Sequence, residues 1–242
     1  MNKKIIILFI ILVLISTYFT IFNTFYKTKS TTPLLNIKNE TLTIDKVYNF
    51  ISENNIEEIN LLKFDFKKIS DINNQSKLNL AFYHLNNNLD FKKGVSSKII
   101  EDYLVKVFGP NINVNHEDII LIKTEEKVKY DKNNDIYIID KEIENPYISI
   151  YDKLVSFDFK NNKYYLKQYK FYIKETGNKI KIYSSYGDYY SNINHILEVE
   201  SIEEVENEIN ENFDDIKEQS YIYNYVFQKK DGGIILEKFY KD

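Results

Sequence analysis

The stretch VSFDFKNNKYYLKQYKFYIKETGNKIKIYSS, residues 155–185, determines the fold class. Apolar and polar side chains alternate strictly over residues 155–160, and a period of two is typical of half-buried β-strands. Two turn sequences, residues 160–163 and 175–178, divide the stretch into three segments. Because short turns connect antiparallel strands, the stretch predicts a meander in which Tyr164–Lys174 forms a long strand.

The predicted sheet continues to the end of the chain and is interrupted by one helix. Ser201-Ile202-Glu203-Glu204 fits a capping box, and apolar residues at helical spacing follow it up to residue 216. This pattern predicts an amphipathic helix that covers the sheet. Two further strands are predicted at residues 221–228 and 234–240, because Asp231-Gly232-Gly233 between them is a strong hairpin turn.

The first half of the chain has a helical rather than an extended period. Helices are predicted over residues 44–51, 78–85 and 98–108, and a brief strand is predicted over residues 62–66. Ser97 can cap the third helix, and Gly109 followed by proline ends it. The sequence therefore predicts an α+β fold with a helical first part, then a mostly antiparallel β-sheet meander with one covering amphipathic helix.

An uninterrupted apolar run opens the chain. Ile5–Phe22 carries no charge, and lysines flank it on both sides. About 18 residues of helix cross a hydrocarbon core of ~30 Å, so the run predicts an N-terminal transmembrane helix with the lipid bilayer as its partner. A cleaved signal peptide is the alternative, although no small-residue cleavage pattern follows the run.

The anchor defines the predicted domain organisation. Residues 1–28 form the anchor, residues 29–40 a polar linker, and residues 41–242 an exported α+β ectodomain, in which the change of period near residue 110 could mark a sub-boundary. The very short N-terminal flank favours a cytoplasmic N-terminus and an extracellular C-terminal domain. The predicted localisation is therefore the cell membrane, crossed once.

The composition excludes several classes of function. Lysine is the only basic residue type, and cysteine and tryptophan are missing, a set that AT-rich codons encode and that indicates a low-GC bacterial source. Without cysteine the chain has neither disulfides nor thiolate metal ligands. A net charge of −4 and the lack of arginine argue against nucleic acid as a partner. No glycine-rich nucleotide loop is present, and no cofactor is expected.

Three segments carry a resemblance to a known group. Lys77–Ala81, the helix end Val107–Gly109 and the segment Tyr221–Tyr240 are similar to uncharacterised membrane-anchored proteins of low-GC Gram-positive bacteria. The resemblance covers the second helix, the third helix and the final hairpin. It implies an exported α+β ectodomain of the same kind, and it implies no particular activity, because the shared motifs are structural.

A calcium loop is the first candidate site. Asp131, Asn133, Asp135 and Glu142 fall at positions 1, 3, 5 and 12 of an EF-type loop. Position 6 of such a loop requires glycine, but Ile136 occupies it, and a β-branched residue disfavours a positive φ. The flanking segments alternate like strands rather than helices. A hairpin turn is therefore favoured over a calcium site, and no metal is expected.

A tyrosine-rich segment is the second candidate site. Tyr183, Tyr186, Tyr189 and Tyr190 surround a Gly-Asp pair that indicates a loop. Exposed tyrosines on a loop can stack on sugars or contact a protein partner. Packing of these side chains beneath a turn in a tyrosine-rich chain is favoured over an exposed binding surface. The pattern predicts a binding surface if the rings are exposed.

No catalytic motif accompanies these candidates. His84, His116 and His195 show no metal-binding spacing, and the chain has no G-x-S-x-G sequence. The leading hypothesis is a non-catalytic, single-pass membrane-anchored ectodomain that binds a protein or a cell-envelope component. The alternative is a membrane-anchored surface hydrolase with a site of dispersed Asp, Glu, Ser and His residues.

The anchor can be tested by extraction. An alkaline carbonate wash of membranes should leave the full-length chain in the pellet, because about 18 buried apolar residues hold it in the bilayer. Deletion of residues 1–28 should move the chain to the wash, as followed by immunoblotting. Release of the intact full-length chain by the wash would contradict the anchor.

Overall fold

The computed structural model describes residues 44–56, 66–143, 148–230 and 233–242. All of them belong to one compact unit, Leu42–Asp242. The predicted anchor at Ile5–Phe22 and the predicted linker at residues 29–40 lie outside the described residues. Among the helices that are described, none is long and apolar enough to cross a bilayer.

The predicted α+β class is confirmed, because helices precede a mostly antiparallel set of strands. The described α-helices are α1 (Ile44–Glu53), α2 (Asn74–Leu85), α3 (Ser97–Phe108), α4 (Tyr186–Ser191), α5 (Val205–Glu211) and α6 (Phe213–Ile216). The described strands are β1 (Val95–Ser96), β2 (Ile119–Ile120), β3 (Lys127–Asp131), β4 (Ile136–Ile138), β5 (Ser149–Lys160), β6 (Lys163–Thr176), β7 (Lys179–Tyr183), β8 (Leu197–Val199), β9 (Ile222–Lys230) and β10 (Gly233–Lys241).

The strands described form two antiparallel sheets. The smaller sheet has the order β1-β4-β3-β2. In the larger sheet, β6 is the central strand: it pairs with β5 along one edge, and with β9 and then β7 along the other. Strand β10 extends the sheet beyond β9, and β8 extends it beyond β7. The predicted meander β5-β6-β7 and the C-terminal hairpin are both confirmed.

Only the last residue of the brief strand predicted at 62–66 lies within the described residues. Phe66 forms an isolated antiparallel bridge with Phe239 on β10, with backbone hydrogen bonds of 2.7 and 3.0 Å. Both rings are buried. The segment that leads into α2 is therefore tied to the sheet by its end at Phe66.

Helix α3 shows how local sequence sets an element. Ser96, rather than the predicted Ser97, is the N-cap: its hydroxyl accepts a hydrogen bond from the Lys98 amide at 3.3 Å. Apolar side chains at helical spacing then face the core. The helix ends at Phe108, and Gly109 caps it with a φ of 86°, in the left-handed region that glycine adopts without strain; the predicted stop is confirmed.

The two faces of β6 contact different apolar clusters. The main cluster combines α1, α2 and α3 with Tyr164 and Leu166 of β6, and it draws residues from both sides of position 110. On the opposite face, Phe171 and Ile173 pack against the covering helices. Strand β6 is therefore buried on both faces over residues 170–173, whereas Lys167 on the second face is exposed.

The covering helix is present but broken, contrary to the single helix predicted over residues 202–216. Residues 202–204 form a 3-10 turn, α5 and α6 follow, and Asn212 separates them. The Asn212 side-chain amide donates to the Glu208 carbonyl and to its carboxylate, both at 3.0 Å. An asparagine side chain that bonds a backbone carbonyl in this way competes with helix geometry.

The capping box predicted at the start of this helix is wrong. The Ser201 side chain makes no capping hydrogen bond. The Glu204 carboxylate accepts a hydrogen bond from the Glu200 amide at 3.1 Å, so it caps one residue earlier than the box requires. The covering role itself is confirmed, because Val205, Ile209 and Ile216 are all buried against the sheet.

A buried ion pair interrupts the apolar face of β6. Lys170 is 0% exposed, and its Nζ lies 2.7 Å from Asp152 Oδ1 on β5, whose side chain is 19% exposed. The neighbouring Gln168 is also buried and accepts a hydrogen bond from the Tyr48 hydroxyl of α1 at 2.9 Å. Burial, and then the charge of Asp152, raises the pKa of Tyr48. We refer to Tyr48, Asp152, Gln168 and Lys170 as the polar belt.

The polar belt separates two apolar clusters on one face of the sheet. Along β6, Tyr164 and Leu166 belong to the main cluster. Two residues after Lys170, Tyr172 belongs instead to a small cluster with Tyr183 and Tyr186. Because alternate residues of a strand share a face, the order along this face is apolar, polar, apolar. The belt therefore positions the tyrosine-rich segment apart from the main core.

Candidate functional site

The tyrosine-rich segment is only partly exposed. Tyr183 ends β7 and is fully buried, and Tyr186 is also buried. Tyr183 lies directly opposite Tyr172 in the β6–β7 register, and the Tyr186 ring lies 5.9 Å from the Tyr172 ring. Tyr183 and Tyr186 therefore pack on the sheet, as the favoured packing interpretation predicts, and the prediction that they belong to an exposed binding surface is wrong.

The physical reason is that the predicted loop is a helix. The Ser185 hydroxyl accepts a hydrogen bond from the Asp188 amide at 3.1 Å and donates to the Asp188 carboxylate at 2.5 Å, which caps α4. Residues three apart then share one face, so Tyr186 and Tyr189 stack with ring centroids 6.0 Å apart. The sequence signal for this helix is the S-x-x-D pattern at Ser185–Asp188.

Tyr189 lies between the buried and the exposed tyrosines. It is partly buried, and burial raises the pKa of its hydroxyl. The Lys174 ammonium donates to the Tyr189 carbonyl at 3.0 Å and lies 5.1 Å from its ring centroid. Tyr183 is also held at its polar end, because its hydroxyl donates to Asn192 Oδ1 at 2.6 Å. Truncation would remove the ring contact of Tyr189 with Lys174 and the hydroxyl contact of Tyr183 with Asn192.

Tyr190 differs from the other three, because its side chain is 59% exposed. Its ring lies 6.1 Å from that of Tyr186, and its hydroxyl donates to the Lys123 carbonyl at 3.1 Å. These two contacts fix the ring on the surface although most of it faces solvent. A preorganised exposed aromatic ring is suited to binding, because little conformational entropy is lost when a partner contacts it.

Two further exposed apolar side chains accompany Tyr190. Ile193 follows α4, and Ile122 precedes Lys123, whose carbonyl receives the Tyr190 hydrogen bond. The two segments are 67 residues apart in sequence, and this hydrogen bond joins them. We call Tyr190, Ile193 and Ile122 the Tyr190 surface. All three are large exposed apolar side chains on the two segments that this hydrogen bond joins, and contiguous apolar surface of this kind marks interaction sites.

The calcium-loop candidates form a hairpin turn, so the favoured hairpin interpretation is confirmed. Strands β3 and β4 flank the turn, with Asp131 opposite Ile136. Asp131 Oδ1 accepts hydrogen bonds from the amides of Asn133 and Asn134, and Asp131 Oδ2 accepts one from the Asn134 side chain at 2.6 Å. These bonds lower the pKa of the Asp131 carboxyl.

The remaining calcium candidates have other partners. Glu142 lies 3.5 Å from the Lys92 ammonium. The Asp135 carboxylate accepts hydrogen bonds from Ser97 and from the Tyr130 hydroxyl, and these lower its pKa. Within the part of the chain that the structure describes, no group of three or more His, Cys, Asp or Glu side chains is arranged to hold a metal ion.

His116 joins helix α3 to the β3–β4 hairpin. Its Nε2 lies 3.0 Å from Glu101 Oε1 on α3, and its Nδ1 lies 2.9 Å from the Tyr137 hydroxyl on β4. The ring also packs 5.3 Å from Tyr130. A carboxylate, an imidazole and a hydroxyl in series is the order that activates a nucleophile in hydrolases, but here the hydroxyl belongs to a tyrosine and not to the serine of the hydrolase hypothesis.

The hydroxyl in this network is unsuited to nucleophilic attack. Tyr137 is fully buried, and burial raises the pKa of its hydroxyl. The Glu117 amide also donates to that oxygen. A nucleophile must be accessible and easily deprotonated. With both of its ring nitrogens bonded to Glu101 and Tyr137, His116 is a structural link between elements.

The other two histidines have different surroundings. The His84 ring stacks on Tyr103 with centroids 4.3 Å apart, and burial together with the charge of Lys106 lowers its pKa. His195 is partly exposed, and its Nε2 lies 3.8 Å from Glu198. His84 therefore packs on an aromatic ring, and His195 lies beside an acidic side chain.

Comparison with known proteins adds no assignment. No protein-family model, curated protein or solved structure gives a significant match to the chain. The similarity to membrane-anchored proteins of low-GC Gram-positive bacteria stays a prediction from the segments that carry it. The candidate site therefore rests on geometry, and within the tyrosine-rich segment that geometry favours Tyr190.

The effect of truncating single tyrosines on the free energy of unfolding should show which of them belong to the core and which lie on the surface. Tyr183→Ala should lower the free energy of unfolding by about 3–5 kcal/mol, because it removes a buried aromatic ring. Tyr190→Ala should change it by no more than ~0.5–1 kcal/mol, because most of that ring is already in solvent. Urea denaturation of the full chain measures both. A loss at Tyr190 as large as that at Tyr183 would assign Tyr190 to the core.

Proposed function

We propose that the chain is a non-catalytic, membrane-anchored binding domain that contacts a protein or a cell-envelope component through the Tyr190 surface. The observation that carries the proposal is the Tyr190 ring, which is exposed but held by its hydrogen bond to the Lys123 carbonyl. Tyrosine is enriched at interfaces, because its ring buries apolar area while its hydroxyl stays bonded.

The surroundings of Tyr190 support binding rather than catalysis. The other two members of the Tyr190 surface, Ile122 and Ile193, are apolar. Apolar side chains supply contact area but cannot transfer protons. The sequence pI of about 5.6 gives the chain no general attraction for nucleic acid. The partner we propose is therefore a protein or an envelope polymer with an apolar face, and no cofactor takes part.

The proposal includes the location of the domain. The apolar run Ile5–Phe22 would hold the chain in the cell membrane, with the N-terminus in the cytoplasm and the C-terminal domain outside the cell. Because the chain has no cysteine, an exported domain would rely on its apolar core rather than on disulfides for stability. A tethered domain also meets partners at the membrane surface at high local concentration.

A membrane-anchored hydrolase is the alternative function. The observation in its favour is the Glu101–His116 pair at 3.0 Å, since a carboxylate that orients an imidazole is common to many hydrolytic sites. The buried Tyr137 hydroxyl on the other nitrogen supports a structural role instead. Binding through the Tyr190 surface is therefore the better-supported function.

Capture from cell extract tests the proposal. The full chain in detergent, immobilised on beads, should retain a partner protein or envelope polymer from an extract of the source cells. Tyr190→Ala should weaken that binding at least ~30-fold, because a central interface tyrosine contributes ~2 kcal/mol. Tyr221→Ala is the matched control, because Tyr221 is an exposed tyrosine on another part of the chain, beside Lys241.

Two results would contradict the proposal. Equal binding by the wild type and Tyr190→Ala would remove the Tyr190 surface from the interface, and equal loss in both tyrosine variants would indicate a nonspecific apolar effect. Turnover of envelope polymer that disappears in Glu101→Gln and survives in Tyr190→Ala would instead support the hydrolase.

A further inference from the structure

Strand β5 has one free edge among the strands that the structure describes. It is 12 residues long and pairs with β6 from Ser149 to Lys160. None of the other described strands pairs with its outer edge. An open edge presents unpaired backbone N–H and C=O groups that can bind another strand. Val155 and Phe159 are exposed along it, so the edge also carries apolar surface.

A β-bulge near the middle of β5 restricts which strand can bind. Leu154 pairs with Gln168 and Ser156 with Lys167, so Val155 is an extra residue with no partner on β6. A regular strand added to the outer edge would have one residue where β5 has two. Bulges of this kind keep edge strands from pairing with arbitrary segments. A suitable partner must therefore carry the same irregularity.

We propose that a second copy of the chain is that partner, with the two β5 strands antiparallel about a two-fold axis at the bulge. In this register Leu154 lies opposite Phe157 of the second copy, and symmetry places Phe157 opposite Leu154 of that copy. Between these two pairs each strand has two residues, Val155 and Ser156. Bulge then faces bulge, and the mismatch that excludes a regular strand disappears. Two-fold symmetry is also the commonest symmetry of protein dimers.

The side-chain directions agree with this register. Leu154 pairs with Gln168 and Phe157 with Leu166, which are alternate residues of β6, so both point to the same face of the sheet. In a strand without a bulge, residues three apart would point to opposite faces. The bulge thus lets two copies pair while their covering helices stay on the same side of one continuous sheet.

The charges on the edge are also complementary in this register. Lys153 would lie opposite Asp158 of the second copy, and symmetry repeats the pair. Lys153 faces Tyr169 on β6 and Asp158 faces Tyr165, so the two side chains share a face. Opposite charges directly across antiparallel strands stabilise the pairing. The Lys153 ammonium, 4.5 Å from the Phe213 ring centroid, is already held on that face.

Charge reversal tests the proposed dimer. The full chain in detergent should sediment as a dimer that dissociates on dilution. Asp158→Lys should raise the dissociation constant by roughly tenfold or more, because it creates two like-charge pairs. The double variant Lys153→Asp with Asp158→Lys should restore the wild-type value. Asp140→Lys, a reversal at an exposed site after β4, is the matched control and should have no effect.

A chain without cysteine allows a second test that does not depend on affinity. Under mild oxidation, a mixture of Lys153→Cys and Asp158→Cys chains should form a disulfide-linked heterodimer, whereas either variant alone should stay uncrosslinked. A monomer at all concentrations would overturn the proposal. So would a dimer that Asp158→Lys leaves unchanged, since that dimer would form through another part of the chain.

Discussion

The ion pair between Lys170 and Asp152 is the constraint on which the larger sheet depends. Lys170 is fully buried on the central strand β6, and its charge is balanced by a carboxylate on the neighbouring strand 2.7 Å away. A buried cation without a partner costs several kcal/mol. The β5–β6 register must therefore keep Asp152 opposite Lys170, and a slip of one residue would turn Asp152 to the other face.

That register positions both surfaces for which we propose a binding role. On β6, the polar belt ends the main core and is followed by the small cluster on which α4 packs, and the last turn of α4 presents Tyr190. On β5, the extra residue of the bulge, Val155, lies three residues after Asp152, so the register fixed by the ion pair also fixes which residues reach the outer edge. A substitution that breaks the Lys170–Asp152 ion pair would therefore affect both the Tyr190 surface and the outer edge of β5, because both depend on the β5–β6 register.

The sequence predicts the strands well because alternation and turns are local signals. The strand at Tyr164–Lys174, the hairpin at Asp131–Asp135 and the class of the fold are all readable from spacing. The burial of Lys170 cannot be predicted from local spacing, because it depends on Asp152, a partner 18 residues away, and no local pattern encodes the register that brings the two together. Tyr183 and Tyr190 are also the same residue type in one segment. Their different exposure follows from tertiary contacts, because Tyr183 lies opposite Tyr172 and the Tyr190 hydroxyl bonds to the Lys123 carbonyl.

A double-mutant cycle at the ion pair measures the central constraint directly. Asp152→Leu should lower the free energy of unfolding by about 2–4 kcal/mol, because it removes the carboxylate that balances the buried Lys170 charge. Adding Lys170→Met should recover much of that loss, giving a coupling of ~2 kcal/mol, whereas the more exposed Lys163–Glu237 pair should give less than ~1 kcal/mol. Additive effects of Asp152→Leu and Lys170→Met, with no recovery in the double variant, would contradict the account.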